Sequence, residues 1–320
     1  MATINTIRGP VDTGQLGPTL MHEHLVVTSP GIAENWPSLH DHEAAIRTTT
    51  AKLRDLASRG IRTVVDVTTP DLGREARVYT DLEAEIDVHV IASTGVTWMV
   101  PLYWWFRSAD ELAAAFVEDV ARGIQGSSIK AAILKIASDD LLPDPPGSPD
   151  LNEKCLRAAA RAHRATGVPI STHTGPPSRG FEQQRLFREE GVDLGRVIIG
   201  HVGDTTDVDL LKRLMDEGST VGLDRFGYDD ILPLEDRIAT LATLLSAGYA
   251  DRIVLSHDAV AATHWAMDRM HDPVPTRPSA FNVISDEVLP ALRQRGVNEA
   301  QIDQMLVKNP RKIFECQATY

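Results

Sequence analysis

The chain has 320 residues, 42% hydrophobic and 24% charged, enough for one large buried core, and its formal net charge of −13 with scattered Lys and Arg argues against nucleic acid or an anionic membrane as partner. Cys155 and Cys316 lie far apart without paired spacing, which argues against a disulfide framework or a cysteine zinc site. No apolar stretch reaches the roughly 18 residues of a membrane span and no signal pattern opens the chain, so a soluble, cytoplasmic protein is expected.

A short N-terminal β extension precedes the first long apolar run, Thr19–Val27. Glu43–Arg59 then shows helical spacing and stops at Gly60, a natural C-cap. The run Thr63–Thr68 follows, then a less sharply bounded helical stretch at Arg74–Glu85, and the run Val88–Val96. The helix predicted over Ala109–Ile124 ends near Gly126 and leads into Ala131–Ala137; the next, Leu151–Thr166, ends at Gly167 and leads into Val168–Thr174. Phe181–Glu190 stops at Gly191 before Val197–Val202, and Asp207–Glu217 stops at Gly218 before Thr220–Phe226. Leu234–Ala247 runs to Gly248 before the last run, Ile253–Ala259. The segment Thr263–Ile284, rich in Pro, Met, His and Trp, reads as a long active-site loop after the eighth strand.

The apolar runs are rich in Val, Ile, Leu and Thr and lack clean two-residue alternation, as expected of strands buried on both faces. Strand and helix alternate through eight units, which predicts a parallel sheet closed into a (β/α)₈ TIM barrel, one domain over 1–320. The competing architecture is a doubly wound open sheet. No G-x-G-x-x-G turn follows the first strand, which counts against it.

The polar residues at the strand ends carry the chemistry. The first strand contains Met21-His22-Glu23-His24, and an H-x-H pair on a strand points both imidazoles to one face. Lys135 sits inside the fourth strand, His173 near the end of the fifth, His201 near the end of the sixth and Asp258 at the end of the eighth. In a barrel these side chains converge at the C-terminal mouth, and four His, one Asp and one Lys suit a shell for two divalent metals, zinc first, with cobalt, manganese or iron also tolerated. An ammonium among divalent cations is repelled and its pKa falls. A neutral Lys135 can add CO₂, giving a carbamate that bridges two metals as a carboxylate does. The second H-x-H, His40-Asp41-His42, reads instead as a helix opening with Asp41 near its N-cap.

At these residues the chain resembles the phosphotriesterase family of the amidohydrolase superfamily, more closely its phosphotriesterase-like lactonase branch. The likeness runs nearly the full length, from Gly9-Pro10-Val11-Asp12 and Leu16-Gly17-Pro18-Thr19 through the M-H-E-H motif, Gly95, Leu134-Lys135, Thr172-His173-Thr174 and Ile199-Gly200-His201. Leu223-Asp224-Arg225-Phe226-Gly227, Leu255-Ser256-His257-Asp258 and Asn309-Pro310-Arg311 complete it. The resemblance implies that His22, His24 and Asp258 hold the buried metal and His173 and His201 the more exposed one, with carboxylated Lys135 bridging. It places Arg225 where lactonases shape their pocket, and it implies a homodimer. Where lactonases of this branch carry a Tyr after the T-G of the third strand, this chain has Thr97 and Trp98.

The expected reaction is metal-assisted hydrolysis, with Asp258 as general base and then general acid. His257 should face away from Asp258 and act at most from outside the ligand set. Trp98, Trp104, Trp105, Phe106 and Trp265 form an apolar wall suited to an acyl tail or to a partner surface. Thr97, Trp98, Arg225 and Trp265 are thus the substrate-binding candidates. N-acyl homoserine lactones fit such a wall, which implies quorum-signal degradation, with phosphotriesters as a side activity. The alternatives are a dedicated phosphotriesterase or other ester hydrolase, and a metal-binding barrel without catalysis.

Overall fold

The computed structural model describes residues 2–97, 100–139, 150–264, 280–315 and 319. Strands β1 (Thr3–Thr6) and β2 (Gly9–Asp12) pair as an antiparallel hairpin. The main sheet follows: β3 (Thr19–Thr28), β4 (Thr63–Asp66), β5 (His89–Val96), β6 (Ile133–Asp139), β7 (Ile170–Gly175), β8 (Val197–Ile199), β9 (Thr220–Leu223), β10 (Ile253–Leu255) and β11 (Val260–His264). Each of β3 to β9 pairs in parallel with its successor in the chain up to β10, and β11 returns to pair in parallel with β3.

Closure is continuous along the last stave. Between β10 and β11 the Asp258 amide donates to the His22 carbonyl at 3.0 Å, and the His24 amide donates to Ala259 at 2.9 Å. The two short strands are therefore halves of one eighth stave, bent between Leu255 and Val260, and the sheet is a (β/α)₈ barrel. Thr263 and His264, expected in a loop, are strand residues because β3 is long enough to pair with them, Thr28 lying opposite His264. The remainder of the expected loop, up to residue 279, lies outside the described residues, as do Trp98 and Trp265.

The helices lie where hydrophobic spacing and glycine stops place them. Asp41 caps His42–Ser58 by accepting from the Ala44 amide, and a Ser108–Glu111 capping box opens Ala109–Ala121. Leu151–Thr166 stops at Gly167, whose φ of 76° is the left-handed conformation that glycine supplies without a steric cost. No described helix is long and apolar enough to cross a membrane.

Two apolar layers divide the strand side chains. Val64, Val90, Leu134, Val197 and Ile253 pack outward with the helices, whereas Val65, Ile91, Ile133, Ile198 and Val254 fill the barrel interior. Ile4 of the hairpin and Ile313 and Phe314 of the helix Asn309–Glu315 belong to the interior cluster. This alternation positions the site. Lys135 lies two residues beyond Ile133, so its side chain enters the interior on the mouth side of the apolar layer.

Candidate active site

His22 and His24 leave β3 toward the mouth, and both are buried. Asp258 Oδ1 lies 3.3 Å from His22 Nε2 and 3.3 Å from His24 Nε2. A divalent ion about 2.0–2.2 Å from each donor holds neighbouring donors roughly 3.0–3.5 Å apart, so these separations fit one ion shared by the three residues. His201 adds a third imidazole, its Nε2 3.6 Å from Asp258 Oδ2. The His173 ring stands edge-on to that of His201, with centroids 4.6 Å apart.

The opposite nitrogen of each buried imidazole faces a side-chain oxygen, which turns Nε2 inward. His24 Nδ1 lies 3.0 Å from Thr68 Oγ1, and that hydroxyl donates to Asp66 Oδ1 at 2.6 Å. His201 Nδ1 lies 3.0 Å from Asp224 Oδ1, and His22 Nδ1 lies 2.9 Å from Asp224 Oδ2. One buried carboxylate thus spans two rings. Anchoring of this kind fixes tautomer and orientation and raises the basicity of the nitrogen left free. Burial alone would raise the Asp224 carboxyl; the imidazoles of His201 and His22 outweigh it and hold it well below the ordinary carboxylate range. At His22, burial and then Lys135 disfavour a positive charge, but Asp224 and Asp258 together prevail and raise it, so the position favours a cation.

Lys135 is 1% exposed, with Nζ 2.9 Å from His22 Nε2 and donating to the Thr172 carbonyl at 3.3 Å. Burial lowers its ammonium to about 8, only partly offset by Asp258 and Asp224, so neutral amine is present near neutral pH. Gly95, opposite Lys135 in the register, has φ 144°, and a Cβ there would lie 1.7 Å from the Lys135 carbonyl oxygen. No other residue lets β5 pass the lysine so closely.

Two ligand candidates sit in left-handed backbone, His201 at φ 60° and Asp258 at φ 55°. Such conformations cost about 1–3 kcal/mol and persist where the surroundings over-determine them. Here the His201 amide donates to Asp224 Oδ1 at 2.8 Å, and Asp258 is held through its amide to His22. Glu23 locks the same stave: Oε1 accepts from Ser256 Oγ at 2.8 Å and from the His257 amide at 2.9 Å, and Oε2 from the Ala259 amide at 3.0 Å. His257 Nδ1 lies 2.7 Å from Glu23, and its Nε2 accepts from the Ile284 amide at 3.1 Å. That imidazole is committed away from the cluster.

Arg225 Nε donates to Asp258 Oδ2 at 3.0 Å and its Nη1 to Asp204 Oδ2 at 2.9 Å. It therefore grips the carboxylate that faces His22 and His24, a contact that the pocket-shaping expectation does not include. Thr97 is buried, its amide 3.1 Å from both oxygens of Asp71 and its hydroxyl accepting from Thr69 at 2.9 Å. A cavity of about 400 Å³ opens beside the end of β5, lined on its apolar side by Val96, Pro101, Tyr103, Trp104 and Phe116.

Asp224, Asp66 and Glu23 are the residues that sequence reasoning did not assign. Each is a carboxylate inside or at the end of a run otherwise buried on both faces, but its role depends on partners from other strands.

The sequence profile of the Phosphotriesterase family matches residues 2–314. The chain is 42% identical over 331 residues to the phosphotriesterase homology protein of Mycobacterium tuberculosis, covering all of both chains. It is 37% identical over 308 residues to the aryldialkylphosphatase of Saccharolobus solfataricus, covering 95% of this chain and 96% of that one. The structure of the phosphotriesterase from Mycobacterium tuberculosis superposes with a TM-score of 0.88 at 42% identity, over 99% of this chain and 100% of the other. Family, barrel and His–Asp cluster agree: the chain belongs to the Phosphotriesterase family and is a metal-dependent hydrolase.

Proposed function

We propose that the protein is a lactonase that opens N-acyl homoserine lactones, thereby degrading quorum signals, and that it hydrolyses phosphotriesters as a secondary activity. The observation that carries the reading is the three-donor grouping of His22, His24 and Asp258, with each imidazole anchored from behind. These three would hold one divalent ion and His173 and His201 a second. That second pair has two donors of its own, and a carbamate on Lys135 would supply a further oxygen donor. Zinc suits this donor set best, with cobalt, manganese or iron also accommodated.

Bound there, the ions supply Lewis-acid polarisation and bring the ionisation of water toward neutral pH. The protein's own part is positioning and proton transfer. Asp258 Oδ2, held by Arg225, takes a proton from the attacking water and returns it to the alkoxide oxygen as the ring opens. Asp224 keeps His22 and His201 turned inward, and Arg225 keeps Asp258 aligned. Trp104 and Val96, which line the cavity beside the end of β5, would offer the acyl chain an apolar surface. The likeness to the aryldialkylphosphatase of Saccharolobus solfataricus supports the phosphotriester side activity, because attack at phosphorus and at a lactone carbonyl develop similar charge. The exposed Leu102, Tyr103 and Phe106 fit the homodimer that the resemblance implies.

Substrate profiling tests the assignment. The metal-loaded protein is expected to show kcat/KM for homoserine lactones that rises with acyl-chain length and exceeds that for paraoxon-like triesters. Rapid triester cleavage without lactone turnover would make it a dedicated phosphotriesterase.

A further inference from the structure

A second group of metal-competent side chains lies at the rim of the mouth, apart from the site above. His40 follows the short turn Pro37–Leu39, His42 opens the helix His42–Ser58, Glu75 precedes the helix Ala76–Glu83, and His264 ends β11. One donor atom each of His40, His42 and Glu75 lies within 4.8 Å of the other two. The His264 ring stands 5.3 Å from that of His40, centroid to centroid, and the His42 ring 5.9 Å from it.

Both ring nitrogens of His40 are shielded from solvent and have no hydrogen-bond partner among the described residues. A buried imidazole normally pairs at least one nitrogen, so a ring with no partner among the described residues points to a ligand. His42 is arranged differently. Its Nε2 lies 2.6 Å from Asp81 Oδ2, which leaves Nδ1 as the available lone pair. A carboxylate behind a histidine is the arrangement that orients metal-ligating imidazoles elsewhere.

We infer that His40, His42 and Glu75, with His264 beside them, form a third metal site that takes a borderline divalent ion such as zinc. The donor chemistry selects the ion class: imidazoles with one carboxylate suit zinc, cobalt, nickel or copper, whereas magnesium and calcium prefer all-oxygen shells. Donors within 4.8 Å of one another need only side-chain rotation to reach the roughly 3.4 Å spacing of a tetrahedral zinc shell. An ion there ties the segment after β3 to the segment after β4 and to the end of β11. Pro30, Gly31 and Glu34 of the first segment, and Glu75 itself, line the cavity beside β5, so the site would brace one wall of it.

The test is the number of zinc ions bound per chain. Wild type, His40→Ala and Glu75→Gln are stripped of metal, reloaded in buffered zinc and measured by elemental analysis. Each variant is expected to bind one ion fewer than wild type while retaining its circular dichroism spectrum. Counts equal to wild type in both folded variants would overturn the site. The readout is a difference between variants, so it holds whatever number the central cluster binds.

Discussion

Replacing Lys135 by Met is expected to lower turnover by about a thousandfold or more and to reduce the metal bound at the barrel centre. Lys135 is an interior side chain that could complete a second ion's shell beside His173 and His201, its Nζ lying 2.9 Å from His22 Nε2. Its ammonium, lowered to about 8 by burial, leaves roughly a tenth of the side chain neutral at pH 7, which is what addition of CO₂ requires. Methionine keeps the volume of the stem, so the variant separates lost chemistry from a cavity beside His22. In wild-type protein supplied with ¹³C-bicarbonate, NMR should show a carbamate carbon that the variant lacks. Wild-type turnover in the variant would remove the bridging role.

The second large effect is expected at Asp258. Substitution by Asn preserves shape and the backbone bonds that close the barrel, but it removes the charge that meets His22, His24 and Arg225. Loss of a positioned general base costs typically about 10²–10⁴ in rate, and a weakened ligand adds to that. The fold should survive, since the Asp258 amide still donates to His22 and the Tyr228 hydroxyl still donates to the Asp258 carbonyl at 2.7 Å. Measuring kcat together with bound metal separates the two contributions. Near-normal turnover at full metal occupancy would show that the proton moves elsewhere.

Much of this was legible in the sequence, for identifiable physical reasons. Strands buried on both faces leave continuous Val and Ile runs, and a polar residue inside such a run has few explanations. His22, His24, Lys135, His201 and Asp258 stand out in this way, and the structure brings their side chains together. What periodicity could not supply was partnership across strands. Asp224 was visible only as part of a motif, because its role depends on β3 and β8 presenting two rings to one carboxylate. Glu23 alternates with two histidines and faces the next stave, so nothing local distinguishes it from a satisfied core carboxylate. The bend between β10 and β11 was also hidden, since a left-handed Asp258 is imposed by Glu23 and His22 from the far side of the closure. His40 and His42 illustrate the opposite limit. Their spacing and Asp41 gave a correct helix start, whereas the cluster they join needs Glu75 and His264, which only the folded chain brings near.

The account rests on metal-dependent hydrolysis at the barrel mouth, and one measurement addresses it directly. Protein stripped of metal, with removal verified by elemental analysis, should leave an N-acyl homoserine lactone intact and should regain turnover on addition of zinc. A full hydrolysis rate in the verified metal-free protein would contradict the account at its centre.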